Sequence, residues 1–134
     1  MRDDIHIPRV TNVTVAVIRK VNEVALEEWY VYLINKNEHR IENILVSSKG
    51  YGEKEGEQQK TSVLRHYFEE VGAESGVLIE PIQPELFHLN NEYWVSYYHD
   101  GQVYDKRFIF LPETIQVSNL NYIPILDMQG ILHS

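Results

Sequence analysis

Residues 50–62, GYGEKEGEQQKTS, place three glycines within seven positions and then a lysine, a threonine and a serine. Those residue types can hold a phosphate: glycines let backbone amides wrap it, a lysine neutralises it and a hydroxyl ligates its magnesium. The spacing defeats that chemistry. A P-loop needs glycine directly before the lysine, whereas Gln59 precedes Lys60 and the nearest glycine, Gly56, lies four positions before it. Gly50, Gly52 and Gly56 run G-x-G-x-x-x-G, one residue too long for the dinucleotide fingerprint. Glu53, Glu55 and Glu57 add charges that repel phosphate. The stretch is expected to be an exposed loop between strands, with glycines supplying positive φ.

Other chemistry is sparse. Six histidines, at 6, 39, 66, 88, 99 and 133, form no H-x-x-H, H-E-x-x-H or H-x-H pair, so no metal and no cofactor is expected. No G-x-S-x-G elbow surrounds a serine, and cysteine is absent. The paired carboxylates Glu27/Glu28 and Glu69/Glu70 are adjacent and so point apart on a strand or a helix. A small enzyme would have to combine His66, Glu69 or His99 with residues of other strands. The more informative set is Trp94, Tyr98, Asp105 and Arg107, where two aromatics, an anion and a cation fall on one face of a hairpin. Such a set can anchor a partner. It can also cover an outer sheet face, with Arg107 stacked on Trp94 and paired with Asp105.

The elements that position this set are mostly strands. Asp100-Gly101 separates two alternating runs in NEYWVSYYHDGQVYDKRFIFLP (91–112), a type I′ hairpin signal. The turn fixes the register: Tyr97 faces Tyr104, Val95 faces Lys106 and Tyr93 faces Phe108 toward the core. Tyr98 meets Val103, Ser96 meets Asp105 and Trp94 meets Arg107 on the other face. VTVAVIRK (13–20), EWYVYLIN (28–35), IENILVSSKGY (41–51) and VLIEPI (77–82) are further strands. TSVLRHYFEEVG (61–72) fits helical spacing as well as alternation, and its strand-rich neighbours tip it to strand. After Pro112 short apolar clusters predict an irregular C-terminal tail packed along the body. About seven strands with turns between them predict an all-β, antiparallel β-sandwich of immunoglobulin-like kind, without the Cys-Trp-Cys pattern.

At 134 residues the chain is expected to form a single domain, 1–134. Twenty acidic against 12 basic residues give a formal charge of −8, and the basic residues do not cluster, so nucleic acid is not an expected partner. No run of about 18 apolar residues is present, which argues against a membrane span, and the N-terminal MRDDIHIPRV is not a signal peptide. The expected location is cytoplasmic. The expected role is a non-catalytic binding or protein-interaction module, acting on a protein partner or by self-association.

Three phrases, SSKGYGEKEGEQQKTSVLRH (47–66), PELFHLNNEYWVSYYHDGQVYDKRFIF (84–110) and IPILDMQGIL (123–132), resemble a family of small bacterial proteins found chiefly in Bacteroidetes. The resemblance spans nearly the whole chain and implies an intact protein. It brings no functional residues. Some members of that family carry the label phenylalanyl-tRNA synthetase alpha subunit, which implies an accessory role in translation. The arginine-bearing ATP motif of a class II synthetase has no counterpart in this chain.

Overall fold

β-Branched and aromatic residues at period two set the inward faces of the strands. In the computed structural model, which describes residues 8–133, β1 (Val13–Val21) and β2 (Glu27–Asn35) pair as the first hairpin. Val13, Val15 and Val17 lie in the core with Trp29, Val31 and Leu33. The chain then crosses to a second sheet, forming β3 (Ile41–Lys54), β4 (Glu57–Lys60) and β5 (Leu64–Val71). It returns beside β2 as β6 (Ser75–Pro81), whose closing proline is tolerated on a sheet edge. A 3₁₀ turn at Pro84–Leu86 leads back to β7 (Asn90–His99) and β8 (Gln102–Phe110). A second 3₁₀ turn, Val117–Asn119, precedes a final hairpin of β9 (Asn121–Ile123) and β10 (Met128–Leu132). His6 and the charged stretch around it lie outside the described residues.

The fold is an all-β sandwich of two antiparallel five-stranded sheets, with no α-helix among the described residues. One sheet has the order β6-β2-β1-β10-β9. The other runs β4-β3-β7-β8, and β5 shares with β4 the edge of β3 that β7 leaves open. Phe108 and Phe110 are among the largest fully buried side chains between the sheets, and burial of such a side chain is worth roughly 1.5–3 kcal/mol.

All seven expected strands are present, including β5, where the helical reading of 61–72 fails. The three further strands arise where irregular chain was expected. GYGEKEGEQQKTS is a strand, a tight turn and a strand, not a loop. Its turn residues, Glu55 and Gly56, have φ of 53° and 82°, as a primed two-residue hairpin turn requires. Gly50 and Gly52 serve a different purpose, since neither has positive φ. A Cβ on Gly50 would sit 3.1 Å from Thr61 Cγ2 and 3.3 Å from Leu89 Cδ1, so these glycines let neighbouring side chains approach the strand.

The C-terminal tail packs on the body as expected, and its end is regular. β10 pairs with β1 and extends the first sheet, whose outer strand is then β9. Ile123, Ile125, Leu126 and Met128 cover Ala16, Ile18 and Ile34, so β1 and β2 carry apolar side chains on both faces.

Candidate functional site

The register of β7 and β8 places the set found in the sequence. Asp100 and Gly101 take φ of 50° and 76°, and every cross-strand pair expected from that turn is observed. Trp94 is opposite Arg107, Ser96 opposite Asp105 and Tyr98 opposite Val103, on the outer face of the second sheet. β3 continues the rows, with Ser47 beside Trp94 and Leu45 beside Ser96, and β5 adds Tyr67 beside Leu45. Leu45, Tyr67, Trp94, Tyr98 and Val103 are each 44 to 58% exposed, unusually open for large apolar side chains on one face. Ser47 and Ser96 stand between them and keep the middle of the face low.

Arg107 holds its guanidinium carbon 5.0 Å from the centre of the Trp94 ring, so the expected stack is present. Its ion pair is not with Asp105. Arg107 Nε lies 3.5 Å from Glu92 Oε2, and Lys49 Nζ lies 3.7 Å from the same oxygen. The Tyr51 hydroxyl donates to Glu92 Oε1 at 3.2 Å. Glu92 explains the choice: its side chain is only 7% exposed, and a carboxylate removed from water needs cations, whereas Asp105 is exposed and solvated. Burial raises the Tyr51 ionisation above the ordinary tyrosine value, and the hydrogen bond to Glu92 and its charge add to this, against an opposing effect of Arg107.

A second polar cluster lies at the edge between the sheets. β6 has a register irregularity opposite Val31 and Tyr32, and beyond it Glu80 pairs with the core-facing Val31. Ser48 Oγ donates to Glu80 Oε1 at 2.8 Å, and His66 Nε2 lies 2.7 Å from that same oxygen. The Tyr93 hydroxyl donates to Glu80 Oε2 at 3.4 Å. Burial, followed by the charge of Glu80 and this hydrogen bond, pushes the Tyr93 hydroxyl far above its ordinary ionisation. A cleft of about 180 Å³ opens beside the cluster, lined by Ser48, Thr61, Leu64, Glu80, Asn91 and Tyr93 among others.

Of His66, Glu69 and His99, His66 is the one that joins residues of other strands at this cluster, meeting Glu80 beside Ser48 and Tyr93. His66 turns inward to Glu80, while Glu69 is exposed and falls on the opposite face of β5 by alternation. His99 ends β7 and stacks on His39, with ring centres 3.5 Å apart. Among the described residues no three His, Asp or Glu side chains converge as metal ligands would.

No family model, curated protein or solved structure matches this chain. Sequence reasoning missed Glu92, Lys49 and Tyr51 on the outer face and Glu80, Ser48 and Tyr93 at the edge. Glu92 carried a signal, since it precedes Trp94 by two residues and so shares its face. Glu80 carried none, because its inward turn depends on a bulge.

Proposed function

We propose that the chain is a non-catalytic binding module whose contact surface is the outer face of β5, β3, β7 and β8, and that its partner is another protein. The carrying observation is the set of five large, open apolar side chains on one sheet face, with Arg107 held over Trp94 at its border. Aromatic and arginine anchors beside small polar residues are the composition of an interface centre. Arg107 is fixed on both sides, by Trp94 and by Glu92, so little side-chain entropy is lost when a partner meets it.

The strand order supports an immunoglobulin-like module. With β1, β2, β3, β6, β7 and β8 as A, B, C, E, F and G, the sheets contain A-B-E and C-F-G, and β4 with β5 occupies the C′ position. The resemblance to the small Bacteroidetes family and a cytoplasmic location belong to the same reading. No helix among the described residues is long and apolar enough to cross a membrane.

Self-association through this face is the alternative to a different protein partner. Edge-to-edge pairing is disfavoured at β8, where Lys106 sits on the inward side of the free edge with its ammonium 5.0 Å from the Phe108 ring centre. Sedimentation velocity of the parent, Trp94→Ala and Arg107→Ala over a hundredfold concentration range separates the two cases. A partner recovered from cell extract with the parent and lost with both variants supports the face. Recovery and mass unchanged by either substitution exclude it.

A further inference from the structure

Two nearly buried carboxylates of this sandwich are neutralised in different ways. Glu92, at 7% exposure, has Lys49 and Arg107 within 4 Å. Glu80, at 11% exposure, has as its partners among the described residues two hydroxyl donors and a histidine: Ser48, Tyr93 and His66. Lys49 borders the same cleft, but its ammonium is committed to Glu92 on the outer face. No lysine or arginine among the described residues pairs with Glu80, and a carboxylate withdrawn from water without a permanent cation beside it is a costly arrangement unless a cation arrives from outside.

The cleft beside Glu80 has room for one. Its roughly 180 Å³ is many times the ~10–15 Å³ that a single water needs, so a small organic group fits. Leu64, Ile82 and Leu86 give it apolar walls, Ser48 bonds the carboxylate, and Thr61 and Asn91 line the same cleft. An anion would meet the charge of Glu80. A divalent metal would find one carboxylate, too few for the oxygen-rich coordination such ions take. We propose that this cleft binds a primary ammonium group on a short apolar stem, with Glu80 as its counter-ion, at a site separate from the outer sheet face.

The test is a titration of the whole protein, followed by amide NMR shifts, with three probes of similar shape: n-butylamine as its ammonium, n-butanol and butyrate. Saturable shifts at Ser48, Thr61, Glu80 and Asn91 with the ammonium, at least tenfold tighter than with the alcohol and absent with butyrate, support the site. Equal binding of ammonium and alcohol, or no saturable binding of the ammonium, overturns it. Glu80→Gln, checked for folding by circular dichroism, is expected to weaken the ammonium at least tenfold, and unchanged affinity in that variant also overturns the proposal. The comparison of probes on the parent protein keeps the test decisive if the variant does not fold. Nα-acetyl-lysine N-methylamide, which keeps the side-chain ammonium, is added as a fourth probe and distinguishes a peptide lysine from a free amine as the source of the group.

Discussion

Replacing Glu92 by glutamine removes the charge that holds Lys49 and Arg107 while keeping an acceptor for the Tyr51 hydroxyl. At separations of 3.7 and 3.5 Å, an effective dielectric of about 20 gives roughly 4–5 kcal/mol of gross attraction for each pair. Most of that is offset. The two cations are 48 and 53% exposed and rehydrate once released, and exposed pairs measure only about 0.2–1 kcal/mol. Glu92 itself is nearly buried, which moves the value toward the roughly 3–5 kcal/mol lost when one partner of a buried pair is removed. The expected cost of Glu92→Gln is therefore about 1–2 kcal/mol, read from urea unfolding with an unchanged slope. Part of it should fade at 1 M salt, where the screening length falls to about 3 Å. A second readout is ultraviolet titration, in which Tyr51 should ionise at lower pH than in the parent because the charge and hydrogen bond that raised it are weakened. A loss below about 0.3 kcal/mol at low salt, with Tyr51 unmoved, would refute the view that Glu92 organises this face.

Four further outcomes follow from the packing. Gly130→Ala puts a Cβ 2.7 Å from the Val17 carbonyl and 2.5 Å from Ile18 Cδ1, and should cost about 1–3 kcal/mol. Gly72→Ala, whose nearest contact is Ser75 Oγ at 3.5 Å, should stay within about 0.5 kcal/mol in the same urea assay. Phe108→Ala, at 1% exposure between the sheets, should lose about 3–5 kcal/mol by thermal unfolding. Burial, with a smaller effect of Tyr104, pushes the Tyr97 hydroxyl up to about 12. Its unfolded value is about 10, so the folded state retains the proton longer. That contribution to stability is complete below about pH 10 and is lost as pH rises through about 12. Tyr97→Phe should flatten this part of the alkaline unfolding curve, and an unchanged curve would count against the burial of that hydroxyl.

What was legible in the sequence depended on short-range geometry. Asp100-Gly101 fixed every pair from His99/Gln102 to Trp94/Arg107, because a two-residue primed turn leaves one register. The stack of Arg107 on Trp94 followed from that register. The ion pair with Glu92 did not, since it depends on how far each carboxylate is withdrawn from water. β4 was hidden for a related reason: Glu57–Lys60 is wholly exposed and polar, and only pairing with β3 makes it a strand. Gly50 and Gly52 resembled loop glycines because the Leu89 side chain that explains them lies far along the chain. Glu80 was illegible because a bulge in β6 sets which way it faces.

The pairing of β1 with β10 also bears on synthesis. Ala16 finds its partner Leu132 only after the 116 residues that separate their positions have been added, and at about 5–20 residues per second this takes roughly 6–23 s. Throughout that interval one edge of β1 has no neighbour, and Ala16, Ile18 and Ile34 lack their cover from Ile123 to Met128. A nascent chain in this condition offers both a bare strand edge and an oily patch to other nascent chains. The last hairpin is thus the step that ends its exposure to misassembly on the ribosome, and the sandwich is complete only when its latest strand has reached its earliest.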